Sequence, residues 1–298
     1  MATTDTQTGA GVVPVTRPAV RHRPGEHPHR LGDAAIYIAL IVLSALFTFP
    51  FLWLVLTSLR PPEQIFAPGF WPSHVQTQNY TDVFKNAPVA TWFKNSIIVT
   101  VLGVIAVVMS SSLIAYGFAR LRFRGRNQLF GLVVATQLLP AAATMVPTFL
   151  IWNGLHLVNT LFPLWLGNIF GSAFYIFMLR QFLIGIPQDL IDAARIDGAS
   201  YLGIYWRIML PLIRPALAAV AVFEFQAKWN DFMTPLIYLN KTSLYTLSLG
   251  LQTFKVEHNT QWGLLMAGSV IFTLPMIVIF FLGQRYFMES VTTTGLKS

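Results

Sequence analysis

The chain has 298 residues, of which 54% are apolar and only 11% are charged. A soluble domain carries about 25% charged residues, so most of this chain is built to face something other than water. It has no cysteine, which excludes a disulfide framework, thiolate metal sites and cysteine catalysis; its net charge of +8 lies in short clusters between apolar runs, which is a membrane-topology pattern and not a nucleic-acid-binding one.

Residues 1–33 are rich in Thr, Pro, Arg and His without apolar periodicity, and read as a disordered cytoplasmic tail. His22, His27 and His29 are read there as solvated residues, not as a metal tract. A helix needs roughly 20 apolar residues to cross a bilayer. Ala34–Thr57 is the first such run. It carries no charge, exceeds a signal-peptide core and has no small-residue cleavage site after it, so it reads as an uncleaved anchor. Ser58–Lys94 is an outer loop in which Asn79–Phe84 begins a short helix. Ser96–Ala119 is the second span, closed by Arg120, Arg122, Arg124 and Arg126. No charged residue then appears until Arg180, which fits spans at Leu129–Trp152 and Leu161–Leu179 around a turn at Asn153–Thr160. A less apolar fifth span covers Arg214–Leu239, and a clean sixth covers Trp262–Leu282. The expected fold is therefore an all-α membrane protein of six transmembrane helices, with residues 34–298 as one transmembrane domain. Pro140, Pro147, Pro235 and Pro275 fall within spans and serve either as gating hinges or as fixed kinks.

Lys and Arg set the orientation. With the N-terminus inside, Arg17, Arg21, Arg23, Arg30, Arg120, Arg122, Arg124, Arg126, Arg180, Arg195, Arg207, Arg214, Arg285 and Lys297 are cytoplasmic, against Arg60, Lys85, Lys94, Lys228, Lys241 and Lys255 elsewhere. Both termini are thus expected in the cytoplasm. Trp71, Trp92, Trp152, Trp165 and Trp262 fall near span ends, where interfacial aromatics gather.

The cytoplasmic loop between the fourth and fifth spans, about 186–215, reads as a short helix, a tight turn and a second short helix. Pro187 suits a first turn. Leu190, Ala193 and Ala194 share a face, and Gly198 permits the positive φ that ends the helix. Ser200 can cap a second helix with Ile204, Ile208 and Met209 on one face, which Pro211 should stop. Ala193, Ala194, Gly198 and Ala199 leave the turn almost bare, so another surface can approach its backbone. That suits a docking knob; a plain connector between spans fits the same pattern.

The fifth span holds Glu224, Lys228 and Asp231, spaced i, i+4, i+7 on one helix face, with Glu224 and Lys228 in the favourable order for an ion pair. Ions at membrane depth face protein or water, not lipid. Gln226, Trp229 and Asn230 lie beside them, and polar groups next to an aromatic face suit a sugar. The face either lines a translocation path or partner contact, or fixes helix packing.

Several segments carry a resemblance. Asp192-Ala-Ala-x-x-Asp197-Gly198-Ala199, followed by Ile208-x-Leu210-Pro211 and Pro215, resembles the EAA loop of ABC-importer membrane subunits, with Asp192 in place of the usual Glu. Ala115–Gly125, Asn159-Thr160, Trp229–Leu236, Gln284–Phe287 and Thr294–Lys297 are similar to segments of carbohydrate-type permeases of the maltose class, so the likeness covers roughly Ile36–Ser298. The resemblance implies one of two permeases of a bacterial inner-membrane importer. A second permease, two copies of an ATP-binding subunit and an extracytoplasmic sugar-binding protein would be its partners. It also implies that Asp192, Ala193, Ala194, Asp197, Gly198, Ala199, Leu210, Pro211 and Pro215 couple to the ATPase. ATP and Mg would be bound by that partner; this chain has no phosphate-binding GxxxxGK[ST] loop. An intramembrane enzyme lacks support, since all six histidines lie in tails or loops and neither HExxH nor GxSxG occurs. A secondary transporter, or a membrane scaffold without an ATPase partner, is the alternative, though the halves show no inverted repeat.

Overall fold

The computed structural model describes residues 30–255 and 260–295, and the side-chain surroundings of residues 34–255 and 260–284. The described residues form helices and no strand. The chain up to Pro50 forms one unit, and the chain from Phe51 onward another.

Helix α1 (Arg30–Ser58) starts slightly ahead of the expected span; the remainder of the expected tail, and residues 296–298 with Lys297, lie outside the described residues. Helix α2 (Gln78–Asn86) is the expected short loop helix. The loop before it folds around a buried cation: the Arg60 guanidinium donates to the carbonyls of Gln64, Ala67 and Gly69. The Asn79 amide donates to the carbonyls of Ser58 and Arg60 at 2.8 and 3.1 Å, which pins α2 in place.

Helix α3 (Val89–Arg120) is the spine of this unit. Its buried positions Gly103, Val107, Ser111 and Ala115 recur every four residues. Such a stripe of small side chains lets other helices approach closely.

The expected third span is broken. Helix α4 (Arg126–Ala135) and a 3-10 turn (Thr136–Leu138) lead to Pro140, after which α5 (Ala141–Gly154) departs at 102°. Proline forbids the helical region to the residue before it, and Leu139 is accordingly extended, with φ −74° and ψ 120°. Of the prolines expected within spans, Pro140 marks this break, whereas Pro147 lies inside α5 and Pro275 inside the last helix. The turn expected at 153–160 is present and includes left-handed His156 and Asn159.

The fourth span is interrupted too. Helix α6 (Phe162–Trp165), a 3-10 turn (Leu166–Phe170) and Gly171, at φ +79°, precede α7 (Ala173–Ile184). Arg180 lies inside α7 and not beyond the span, because packing accommodates it: its guanidinium covers the Phe130 ring at 4.1 Å and its Nε donates to the Phe118 carbonyl at 3.4 Å.

Helices α8 (Asp189–Ile196) and α9 (Tyr201–Ile204) form the expected pair in the 186–215 loop. A π turn (Tyr205–Met209), α10 (Leu210–Leu212) and α11 (Arg214–Trp229) follow. Pro211 does not stop the second helix. The π turn widens the backbone just ahead of it, which relieves the clash of the proline ring with the preceding turn. Helix α11 ends at Trp229, well short of the expected Leu239; α12 (Met233–Tyr238), α13 (Leu247–Gly250) and α14 (Trp262–Gly295) complete the chain, with Pro235 inside α12. Helices long and apolar enough to cross a membrane cover 34–58, 89–120, 162–184 and 262–284, and the bent pairs 126–154 and 201–229 bring the number to six if each counts as one span.

The N-terminal half of α3 holds the 242–250 segment. Trp92 Nε1 donates to the Thr242 carbonyl at 2.8 Å, Asn95 donates to the carbonyls of Ser243 and Tyr245, and Ser96 Oγ accepts from Leu247 N–H. Trp92, expected at an interface, is only 1% exposed, because these bonds and Gly250 enclose it. A Cβ built on Gly250 would stand 2.2 Å from the Trp92 ring. Gly250→Ala should therefore overpack this site by about 1–3 kcal/mol and sharply lower the monodisperse yield in detergent. Gly131→Ala, where a Cβ meets nothing within 4 Å, should not; equal yields would contradict the packing.

Candidate functional site

Two groups of residues singled out in the sequence come to lie against α3. The first is the 186–215 loop. Helix α8 ends in a Schellman motif: Ala199 N–H bonds to the Ala194 carbonyl at 2.9 Å and Gly198 N–H to the Arg195 carbonyl at 3.0 Å. Gly198 takes φ +82°, and a Cβ there would meet no atom within 4 Å. The Ser200 hydroxyl caps the second helix by accepting from Gly203 N–H at 3.1 Å. Asp192, Ala193, Asp197, Gly198 and Ala199 are exposed, while Leu210, Pro211 and Pro215 are half-buried. The inward face of α8 is Ile191 and Ala194, not the expected Leu190, Ala193 and Ala194. Leu190 is 46% exposed, because the i, i+3 pair that joins the core starts one residue later. The tip beside the bare turn is apolar: Ile196 is 86% exposed and Leu202 60%.

What holds this loop was not legible as a motif. Ser112, Tyr116 and Arg120 lie at i, i+4, i+8 on α3, along one face. The Ser112 and Tyr205 hydroxyls are 2.7 Å apart, and Tyr116 donates to the Tyr201 carbonyl at 3.0 Å. Arg120 donates to the carbonyls of Leu183 and Ile186 and to Gln188 Oε1. Tyr116 and Tyr205 also pack ring against ring at 5.3 Å. Three side chains of one helix thus fix the start, the second helix and the π turn of the loop.

The second group is the charged stripe on α11. Glu224 is buried and accepts from the Asn168 amide, with the Tyr175 hydroxyl within hydrogen-bonding reach. Lys228 donates to the Leu164 carbonyl at 2.7 Å. The expected ion pair between the two is not formed within 4.0 Å, since the lysine stem runs past Gly103 toward that carbonyl. A Cβ on Gly103 would lie 3.3 Å from both Lys228 Cγ and Asn168 Nδ2. Asn168 uses its second amide hydrogen on the Gly103 carbonyl at 3.2 Å. Its own carbonyl meets the Ser110 hydroxyl at 2.9 Å, and Ser111 Oγ accepts from Ser172 N–H at 3.0 Å. The bonds to the Asn168 carbonyl and the Ser172 N–H serve the interruption at 166–172 directly, and the others hold Leu164 and the Asn168 side chain beside it. An unpaired backbone group in a bilayer costs several kcal/mol, and this network supplies the partners. Asn168 and Gly171 inside an apolar run were the available signal.

Asp231 does not share that face. It lies past the end of α11, and its carboxylate accepts from Thr234 N–H at 3.1 Å, opening α12. Trp229 is 1% exposed. It stacks on Phe225 and Phe272 at 5.6 and 5.8 Å, meets Phe93 edge-on at 5.7 Å, and donates to the Phe272 carbonyl. Gln226 and Asn230, four residues apart, are the polar residues of the stripe that remain exposed.

Comparison with known proteins places both groups within one matched region. Residues 108–292 match the family described as "Binding-protein-dependent transport system inner membrane component". The chain is 34% identical to the arabinooligosaccharides transport system permease protein AraQ of Bacillus subtilis (strain 168), over 93% of this chain and 99% of that protein. It is 31% identical to the lactose transport system permease protein LacG of Rhizobium radiobacter, over 88% and 96%. A bacterial ABC transporter involved in the import of the acidic polysaccharide alginate contains a chain of the same fold, with a TM-score of 0.77 at 23% identity over 87% of this chain and 97% of that one.

The network around Asn168 makes a quantitative expectation. Lys228→Met removes the donor to the Leu164 carbonyl and should cost about 1–3 kcal/mol, read as a lower Tm of the detergent-solubilised protein. Glu224→Gln retains an acceptor for Asn168 and should lower Tm less. The reverse order would contradict the geometry.

Proposed function

From the premise that the chain belongs to the family of binding-protein-dependent transport system inner membrane components, we propose that it is one of two permeases of an ATP-driven importer for a neutral oligosaccharide. Members of the family are transport components of the inner membrane, so the chain is a multi-pass membrane protein with no catalytic role of its own. Relatives named for arabinooligosaccharides, lactose, starch degradation products and diacetylchitobiose support the substrate class. A solved alginate transporter in complex with an alginate-bound periplasmic protein has a chain of this fold, with a TM-score of 0.63. In the proposed assembly a second permease completes the pore, two ATP-binding subunits hold ATP and Mg, and a binding protein delivers substrate from outside. Residues 34–298 form the transmembrane domain, with six spans and both termini in the cytoplasm, and residues 1–33 a cytoplasmic tail.

The observation that carries this reading is the helix pair of the 186–215 loop. Its tip at Asp197-Gly198-Ala199 is bare and exposed, with Asp192 and Ala193 beside it, and its root is tied to α3 through Ser112, Tyr116 and Arg120. A knob with a free tip and a fixed root converts a push on the tip into movement of α3. Leu210, Pro211 and Pro215 continue the loop directly into α11, the other helix that would carry the motion. The exposed amides of Gln226 and Asn230 face the path or the partner permease; Glu224, Lys228 and Trp229 support that face from behind, and Asp231 shapes the turn beyond it.

Topology and coupling are tested separately. With no native cysteine, single-cysteine variants label cleanly. Ser200→Cys and Arg124→Cys should react with impermeant maleimide only in opened cells, and Ser73→Cys and Asn240→Cys in intact ones; labelling of Ser200→Cys from outside would overturn the orientation. Gly198→Trp strains a left-handed position by about 1–2 kcal/mol and fills the space a partner would need. It should insert normally yet lose nearly all sugar uptake, with ATP hydrolysis no longer stimulated by loaded binding protein. Normal uptake by that variant would make the loop a mere connector.

A further inference from the structure

The molecule has a second group of polar and aromatic side chains that neither the loop nor the Asn168 network uses. It surrounds a cavity of about 420 Å³ between the C-terminal end of α11, the segment leading from it to residue 255, and the first turns of α14. That volume lies within the roughly 300–1,000 Å³ of small-ligand sites. Phe232 and Trp262 supply aromatic surface, and Asn230, Ser248, Gln252 and Ser269 supply polar atoms. Among the described residues, Lys255 is its one charged lining residue.

The hydrogen-bonding capacity of this lining is specific. The Ser269 hydroxyl donates to the Leu265 carbonyl at 2.7 Å, and that of Ser248 to the Asp231 carbonyl at 2.6 Å. Each oxygen keeps a lone pair that accepts, with the Thr246 hydroxyl taking one position on Ser248 at 3.0 Å. Asn230 donates through Nδ2 to the Gln226 carbonyl at 2.8 Å, which leaves its carbonyl oxygen as a further acceptor. Gln252 and Lys255 make no side-chain bond to the described residues and so offer donors. Acceptors and donors therefore share one space with aromatic rings and the apolar side chains of Leu251, Leu265 and Met266. A sugar hydroxyl donates and accepts at once, and the C–H face of a sugar ring packs on an aromatic face. An apolar molecule would leave these groups unpaired, and a phosphate would meet a single cation among several acceptors.

We propose that this cavity, bounded by Asn230, Ser248, Gln252, Trp262 and Ser269, binds a sugar ring. The inference deepens the reading of the chain as a sugar permease and rests on it. In the proposed topology α14 enters the bilayer at Trp262, so the cavity stands at the outer end of the chain. A sugar released outside meets it first, and Asn230 in its lining leads on to the exposed Gln226. This chain would then contribute a holding site of its own, and sugar choice would not rest on the binding protein alone.

The test reads binding on the full chain in nanodiscs by saturation-transfer NMR, with arabinotriose, lactose and diacetylchitobiose as probes. The wild type should bind at least one of them. Gln252→Ala should weaken that binding about tenfold, equivalent to about 1.4 kcal/mol, and Trp262→Ala should abolish it. Trp262→Phe should restore part of it, and Glu63→Ala, away from the cavity, should leave it unchanged. Gln252 is exposed and makes no side-chain hydrogen bond to the described residues, so its variant stays folded even if Trp262→Ala does not. Absence of binding to all three probes, or binding that both substitutions leave intact, would overturn the site. Uptake in cells expressing the complete transporter is scored in parallel. Uptake of a sugar that the isolated chain does not bind removes the cavity and keeps the importer. Cavity-dependent binding with no uptake by wild-type cells removes the importer and keeps the cavity.

Discussion

A bilayer offers no hydrogen bonds, so a chain that interrupts its helices at membrane depth must bring its own partners for each freed backbone group. This constraint organises the whole unit from Phe51 onward. At the interruption the carbonyls of Leu164 and Asn168 and the N–H of Ser172 take side-chain partners, the Asn168 carbonyl in addition to Gly171 N–H. Lys228, Ser110 and Ser111 reach them from the two neighbouring helices. The Asn168 side chain returns two bonds, one to Glu224 and one to the Gly103 carbonyl. The buried charges of α11 are thus part of the backbone's own hydrogen bonding. That explains why Lys228 prefers a carbonyl to the nearby carboxylate.

Helix α3 does the same along its full length. Trp92, Asn95 and Ser96 serve the 242–250 segment near its start. Ser110 and Ser111 serve the broken span in the middle, and Ser112, Tyr116 and Arg120 serve the 186–215 loop at its end. Between these polar positions the small residues Gly103, Ser111 and Ala115 let α7 and α11 approach. A single helix therefore connects three irregular regions that share no direct sequence relation. The π turn at Tyr205–Met209 lies at the point where the loop joins this spine, and its tyrosine hydroxyl meets Ser112 there.

Much of this was determined by the sequence alone. Apolar run lengths and the sparsity of charge decide a helical membrane protein, because the bilayer thickness sets a length that chance rarely meets. The Gly198 turn and the Ser200 cap were legible for a local reason: each depends on residues within a few positions, and positive φ and side-chain capping are properties of single residues. The start of α14 at Trp262 and the turn at 153–160 were legible in the same way. Tertiary structure alone decided the rest. Glu224 and Lys228 looked like a helical pair because periodicity sees only their own helix; their partners, Asn168 and Leu164, come from more than fifty positions away. Leu190 and Ile191 are equally apolar, so which of them turns inward depended on where the rest of the core stood. Pro211 should stop a helix on local sterics, and a π turn overrode it. The breaks at Pro140 and Gly171 lie in runs apolar enough to pass as continuous spans. The break at Pro140 follows from the proline itself, whereas at Gly171 Ser110 and Ser111 of α3 reach the backbone, and no reading of one segment can supply those partners.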